Sequence, residues 1–186
     1  MANICSTEYK IYGPKKDLDV IYETIEEMWN EQDTRLCELV DRLGGDSSEM
    51  YCRGEIRYQD YDDLACELTI YQDTAWREQS DVRHFLEERF PDITVYYFDE
   101  EPGCDWFQTN DINKEIWDIE WVLDDTMEGT QYFDNLEEIA EYINETYKPQ
   151  KHAEPNEESI WDVMKRVQEK GDGELYILHQ FHREND

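Results

Sequence analysis

The chain opens with a strand pattern that is followed by a helix pattern. Apolar and polar residues alternate across residues 4–12, as they do in a strand with one buried face. Apolar residues then recur at helical spacing across 15–30, which predicts an amphipathic helix. A second helical pattern at 36–43 ends at Gly44 and Gly45, and glycine is common just after the end of a helix.

Two further strands, a helix and a fourth strand follow before residue 100. Residues 52–59 and 64–72 have strand patterns joined by an acidic turn, with Leu64 on the apolar face of the second strand. Ser80 is the predicted cap of a helix, and residues 92–98 are rich in strand-forming side chains. The order β-α-β-β-α-β predicts a ferredoxin-like, split βαβ core, in which an antiparallel sheet has its helices on one face.

The later part of the chain predicts an extension with the order β-α-α-β. Residues 115–123 alternate like a strand, and Asp134 with Glu137 forms a predicted capping box at the start of a helix. Residues 148–159 have the polar composition of a linker. A second helix and a strand at 174–182 complete the predicted extension.

These patterns together predict an α+β fold. We expect a ferredoxin-like core at residues 1–100 and an acidic α/β extension at 101–186 that packs on the core. One continuous domain is the alternative, because 186 residues lie within the range of an ordinary domain. The 6 Trp, 13 Tyr and 6 Phe predict a folded chain, since burial of large aromatic side chains offsets the entropy of ordering.

Four short motifs resemble those of the Api92-like (YubB-type) proteins. They are M-A-N-I-C-S at the start of the chain, T-A-W at 74–76, F-P at 90–91 and E-E-P-G at 100–103. The resemblance covers roughly residues 1–123. It implies a ferredoxin-like domain encoded by plasmids, phages or conjugative elements of bacteria, and it implies no catalytic residue.

The net charge of −31, from 17 basic and 48 acidic residues, limits the partners that the chain attracts. Such a field repels nucleic acid and anionic membranes, so we expect no direct binding to either, and it attracts basic surfaces. Five cysteines, an odd number without a C-x-x-C pair, indicate reduced thiols and no disulfide framework or zinc site. The chain start does not resemble a signal peptide, and no apolar run approaches about 20 residues, so we expect a cytoplasmic protein.

The sequence contains no recognised motif for catalysis or metal binding. It has no G-x-S-x-G, no H-E-x-x-H, no phosphate-binding loop and no calcium loop. His179 and His182 are three residues apart on a predicted strand, so they lie on opposite faces and do not suit one metal ion. Acidic neighbours of Cys104 disfavour a reactive thiolate. We therefore predict a protein that is not an enzyme and that has no cofactor and no metal.

Acidic residues are densest in the middle of the chain. Between Asp99 and Tyr147 there are 16 acidic residues and one basic residue, Lys114. Acids spaced four apart on a helix lie about 6 Å apart along one face, and acids spaced two apart on a strand lie about 6.6 Å apart. The predicted partner-binding residues are Asp118, Glu120, Asp124, Asp125, Glu137, Glu141 and Glu145.

This acidic surface predicts a non-enzymatic interaction protein that binds a basic protein surface. Regular rows of carboxylates resemble rows of phosphates, so the most specific version is a nucleic-acid mimic, encoded by a mobile element, that inhibits a nucleic-acid-binding protein. One alternative is that the acidity serves solubility or adaptation to salt. Another is an accessory domain that binds a small ligand or a divalent cation through the sheet face and the tryptophans, which otherwise belong to the core. The tryptophans concerned are Trp76, Trp106, Trp117 and Trp121.

Overall fold

The computed structural model describes residues 3–125, 128–170 and 175–184 of the chain. The chain divides into two compact units, Met1–Asn110 and Asp111–Asn185, which we call the first unit and the second unit. Its helices and antiparallel strands confirm the α+β class. None of the helices in the described ranges is both long enough and apolar enough to cross a lipid bilayer.

The first unit consists of an antiparallel sheet and α-helices. Its elements are β1 (Ile4–Tyr12), α1 (Lys15–Asn30), α2 (Leu36–Arg42), β2 (Gly54–Asp62), β3 (Glu67–Ala75), α3 (Ser80–Arg89), β4 (Thr94–Glu101) and β5 (Trp106–Thr109). The strands are hydrogen-bonded in the order β2-β3-β1-β4-β5, and each neighbouring pair is antiparallel. The central strand is therefore β1, which pairs with β3 on one side and with β4 on the other.

The core of the first unit forms where one face of the sheet meets the helices. The buried residues of β1 are Cys5, Thr7, Tyr9 and Ile11, and those of α1 are Leu18, Ile21, Ile25 and Met28. The first set recurs every two residues and the second every three or four, as strand and helix geometry require. Each buried isoleucine or leucine contributes about 1.5–3 kcal/mol to folding. The strand predicted at 4–12 and the helix predicted at 15–30 are confirmed.

The hairpin between β2 and β3 lies later along the chain than the sequence pattern predicts. The Asp62 carboxylate accepts hydrogen bonds from the backbone N–H groups of Leu64 and Ala65, each at 2.9 Å. This Asx turn, together with a positive φ of 53° at Cys66, reverses the chain over the residues expected to begin the second strand. Leu64, which the pattern places on the apolar face, is 96% exposed, so that prediction is wrong.

The second unit contains a smaller sheet and two helices. Its elements are β6 (Trp121–Asp125), β7 (Gly129–Phe133), α4 (Leu136–Tyr147), α5 (Glu157–Lys170), β8 (Leu175–Gln180) and β9 (His182–Arg183). Strands β7, β6 and β8 form an antiparallel sheet in that order. The predicted order β-α-α-β omitted β7. Its short sequence has no buried residue, so it gives no apolar alternation.

The strand predicted at 115–123 is wrong over most of its length, because β6 begins only at Trp121. Asp111 is 1% exposed, and its carboxylate accepts the backbone N–H groups of Glu115, Ile116 and Trp117, each at 2.9 Å. The Arg183 guanidinium donates to the backbone carbonyl of Trp117 at 3.1 Å. These side chains take the hydrogen-bonding positions that a neighbouring strand would otherwise occupy.

The capping box of α4 lies one residue later than predicted. Asn135, and not Asp134, is the N-cap, and its Oδ1 accepts the backbone N–H of Glu138 at 3.0 Å. The Glu138 carboxylate in turn accepts the backbone N–H of Asp134 at 3.2 Å. Asn-x-x-Glu satisfies the same pattern as the predicted Asp134 and Glu137 pair, which leaves Glu137 free of a capping role.

Candidate functional site

Three glutamates of α4 form a row of exposed charge on the second unit. Glu137, Glu141 and Glu145 are four residues apart, so they lie on one face of the helix about 6 Å apart along its axis. The opposite face of α4 buries Ile139, Ala140 and Ile143. The three carboxylates make no ion pair and no hydrogen bond with any residue in the described ranges. We call these glutamates the acidic row.

The predicted strand-face pair of Asp118 and Glu120 does not exist, because both residues precede β6. Asp118 is exposed and makes no ion pair with the described residues. Glu120 is half-buried, and its carboxylate accepts from Gln180 Nε2 at 2.9 Å and lies 3.1 Å from Lys114 Nζ. Burial alone would raise the pKa of Glu120, but these donors outweigh it and hold that pKa below its usual value. Glu120 is thus already compensated within the second unit.

Asp125 is a structural residue of the second unit and not part of an acidic surface. It is 2% exposed, and its carboxylate accepts hydrogen bonds from the hydroxyl of Tyr142 at 2.8 Å and from that of Tyr147. Burial, followed by the hydrogen bond to Asp125, raises the pKa of both tyrosines. These contacts connect the end of β6 to α4. The prediction that Asp125 lies on the exposed surface is wrong.

Asp124 is neither fully exposed nor fully buried. It is half-buried, its carboxylate accepts from Thr130 Oγ1 at 3.1 Å, and it lies 3.5 Å from His179 Nε2. Of the seven predicted residues, those of the acidic row and Asp118 are the ones that are exposed and uncompensated. The structure places the three residues of the row on one helix face. They differ from Glu120, Asp124 and Asp125, whose carboxylates already have partners within the second unit.

A buried ion pair in the first unit is not predicted by the sequence pattern. Arg83 of α3 is 2% exposed, and its Nε donates to Glu78 Oε1 at 3.0 Å. The hydroxyl of Tyr9 donates to the same oxygen at 2.7 Å. Burial raises the pKa of Glu78, and the Arg83 charge opposes that rise. Through the hydrogen bond from Tyr9, this pair connects β1 to α3 and to the segment that precedes it.

Asp99 is a second buried carboxylate of the first unit. Its oxygens accept from Thr7 Oγ1 at 2.6 Å, from the backbone N–H of Glu78 at 2.8 Å and from Trp106 Nε1 at 2.7 Å. Burial raises its pKa, and these hydrogen bonds act against the rise. A signal in the sequence does exist, because Asp99 follows Val95 and Tyr97 at strand spacing on the buried face of β4. Donors from β1, from β5 and from the segment before α3 thus stabilise this buried carboxylate.

The T-A-W motif lies next to these buried acids. The Thr74 hydroxyl is 2.8 Å from the Thr7 hydroxyl, which in turn donates to Asp99. Trp76 has a positive φ of 75°, which is strained for a large side chain, and its backbone N–H donates to the Asn3 carbonyl at 2.9 Å. Its side chain is 53% exposed, whereas Trp121 is buried and Trp106 and Trp117 are half-buried.

The raised carboxyl pKa values predict that stability decreases as pH rises. Burial is the main cause of the raised pKa of Glu8, Glu78 and Asp99. A carboxyl whose folded pKa exceeds its unfolded pKa favours folding below the unfolded value, near 4, and loses that contribution as pH rises through the folded value. Repulsion within a chain of charge −31 acts in the same direction. We therefore expect a higher thermal unfolding midpoint at about pH 5.5 than at about pH 8.

Scanning calorimetry on the wild-type chain and on Glu8→Gln measures this effect. Glu8→Gln should reduce the difference between the two midpoints, because it removes a half-buried carboxyl whose pKa burial raises. Glu23→Gln, which neutralises an exposed carboxylate of α1, is the matched control and should leave the difference almost unchanged. A midpoint that rises from about pH 5.5 to about pH 8 would contradict the prediction.

The described residues contain no group of three or more His, Cys, Asp or Glu side chains that could hold a metal ion. The chain matches no family model, no curated protein and no solved structure. Its function must therefore be inferred from its own residues, and their most pronounced chemical feature is exposed, uncompensated negative charge on the second unit.

Proposed function

We propose that the protein is a non-enzymatic interaction protein whose second unit binds a basic protein surface. The observation that supports this most directly is the acidic row, Glu137, Glu141 and Glu145, which is exposed on one face of α4 and makes no ion pair with the described residues. A basic partner surface would reduce the electrostatic repulsion between these like charges. The opposite charges of the two surfaces would also accelerate their association.

The most specific form of the proposal is nucleic-acid mimicry. Carboxylates about 6 Å apart along a helix present regularly spaced negative charge, as a phosphate backbone does. A nucleic-acid-binding protein offers the basic groove that such a row fits. We propose inhibition of such a protein as the biological role of a chain encoded by a mobile element, which is what the resemblance of roughly residues 1–123 to the Api92-like (YubB-type) proteins implies.

We also propose that the first unit is a ferredoxin-like domain. The strand order β2-β3-β1-β4 supports this, because α1 and α2 connect β1 to β2 across β3, and α3 connects β3 to β4 across β1. Each crossover passes over one antiparallel strand, as in a split βαβ unit. In this proposal the first unit is the scaffold, and the second unit provides the acidic binding surface.

A triple substitution of the acidic row tests the proposed binding site. We expect Glu137→Gln/Glu141→Gln/Glu145→Gln, the row variant, to remain folded because the three side chains are exposed. Each exposed ion pair contributes about 0.2–1 kcal/mol, so the row variant should bind its partner roughly 3- to 100-fold more weakly. The measurement uses tagged protein as bait in bacterial lysate at about 50 mM salt, with the captured protein identified and its affinity then determined by titration.

The matched control removes the same amount of charge elsewhere. Glu23→Gln/Glu27→Gln/Glu88→Gln, the control variant, neutralises three exposed glutamates of α1 and α3. If the acidic row is the binding site, the control variant binds within about twofold of the wild type, and about 500 mM salt abolishes binding by all three proteins. Equal weakening of both variants would show that total charge matters and that the row has no special role.

A further inference from the structure

A groove in the first unit is lined by three arginines, although the chain has only 17 basic residues against 48 acidic ones. The groove has a volume of about 400 Å³ and lies where β1 and β2 begin, where β3 ends and where α2 starts. Its arginines are Arg35, Arg53 and Arg57, and its acidic residues are Glu55 and Asp73. Glu55 and Asp73 pair with Arg57, and Asp33 outside the lining pairs with Arg35, so Arg53 is the groove arginine without an acidic partner among the described residues.

Two of the guanidinium groups are held in position by carboxylates and still have unused donors. Arg57 donates from Nε to Asp73 at 2.7 Å and lies 3.0 Å from Glu55 through Nη1. Arg35 donates from Nε to Asp33 at 2.8 Å. Arg57 Nη2 and Arg35 Nη1 make no hydrogen bond with the described residues. The carboxylates thus orient the two guanidinium groups and leave one terminal nitrogen of each as a hydrogen-bond donor for a ligand.

Arg53 has a fixed backbone and an uncompensated side chain. Its backbone N–H donates to Gln79 Oε1 at 2.7 Å, and its carbonyl accepts the backbone N–H of Ala75 at 2.9 Å. Its side chain is exposed and makes no ion pair or hydrogen bond with any described residue. The Arg53 guanidinium is therefore available, without the loss of an existing ion pair, to an anionic ligand that enters the groove.

Part of the groove wall is apolar, and at Gly54 the backbones of β2 and β3 pack closely. Ile4, Cys37, Cys52 and Ala75 supply the apolar lining. A Cβ atom at Gly54 would lie 2.6 Å from the backbone oxygen of Asp73, so only glycine permits this approach of β2 to β3. An apolar groove of this size with a few convergent polar groups is typical of a site for a small molecule.

We propose that this groove binds a small molecule that carries a phosphate group. Guanidinium groups recognise phosphate and carboxylate through paired hydrogen bonds, and three guanidinium groups around one groove suit the three terminal oxygens of a phosphate better than the two of a carboxylate. The uncharged part of the ligand lies against the apolar wall near Ile4 and Ala75. At physiological salt the negative field of the rest of the protein is screened beyond about 8 Å, so it does not prevent this binding.

A titration with three probes followed by amide chemical shifts tests the proposal. The probes are inorganic phosphate, adenosine monophosphate and adenosine, which separate the contribution of the phosphate from that of the uncharged body. We expect phosphate and the monophosphate to shift the amide signals of Arg53, Gly54 and Ala75. We expect the monophosphate to bind more tightly because its body covers the apolar wall, and we expect adenosine to cause no shift at the same concentrations.

Two variants show whether Arg53 is responsible. Arg53→Gln should weaken binding of the monophosphate at least about tenfold, which is about 1.4 kcal/mol, and should leave the thermal unfolding midpoint unchanged because its exposed side chain has no partner among the described residues. Lys165→Gln removes the same charge from an exposed residue of α5 that is not part of the groove, and it should bind as the wild type does.

Three results would overturn the proposal. They are the absence of any shift with phosphate and the monophosphate up to about 10 mM, binding by Arg53→Gln that equals that of the wild type, and binding of adenosine as tight as that of the monophosphate. The acidic row is intact in every protein of this experiment. A negative result therefore leaves the proposed function of the second unit unaffected.

Discussion

Arg83→Met lowers the free energy of unfolding by about 3–5 kcal/mol at neutral pH, which is the usual cost of removing one partner from a buried ion pair. The methionine keeps the apolar stem and removes the charge, so the buried Glu78 carboxylate retains only the hydrogen bond from Tyr9. Chemical denaturation measures the effect. Arg89→Met, at an exposed arginine of the same helix, is the control and should cost much less.

The pH dependence distinguishes loss of the charge partner from a packing defect. Burial already raises the pKa of Glu78, and removal of Arg83 raises it further. The deficit of Arg83→Met should therefore shrink as pH falls, because the variant's Glu78 binds a proton in the folded state and no longer carries a buried, unpaired charge. The double variant Arg83→Met/Glu78→Gln should recover part of the stability at neutral pH. A deficit that is constant with pH, and that Glu78→Gln does not relieve, would contradict this account of the pair.

Asp125→Ala should destabilise the protein by about 2–4 kcal/mol, because it leaves the hydroxyl groups of Tyr142 and Tyr147 without their buried acceptor. The measurement is again denaturant unfolding, together with partner binding at a temperature at which the variant is folded. Glu145→Ala on the same helix is the control for stability, since its side chain is exposed. Asp125→Ala that retains full stability but loses the partner would show that Asp125 belongs to the binding surface after all.

Local periodicity predicts those elements of the fold whose burial follows one face. The alternation in β1 and the helical spacing in α1 define their buried faces without reference to the rest of the chain. The segment at 111–120 is different, because Asp111 and Arg183 satisfy its backbone groups, and these two residues are 72 positions apart in the sequence. A contact at that separation leaves no trace in a local pattern, so the segment has the alternation of a strand without being one.

The candidate site shows the same division between local and long-range information. The acidic row was predictable because residues four apart share a helix face and the apolar stripe of α4 defines the opposite face. Asp125 was predicted as exposed because acids usually are. Its position two residues after Leu123 on β6 nevertheless places it on a buried face, where hydrogen bonds from the two tyrosines of α4 and from the backbone N–H of Glu128 make its burial tolerable. The arginine groove combines residues from 4 to 75 and required the fold to be known.

The most direct test of the central claim is displacement of DNA from the captured partner. The fluorescence anisotropy of a labelled DNA duplex bound to that partner is recorded while the wild type, the row variant or the control variant is added. If the acidic row occupies the basic surface, the wild type and the control variant release the duplex, and the row variant requires roughly tenfold more protein to do so. No release of the duplex by the wild type, or equal release by the row variant, would contradict the claim.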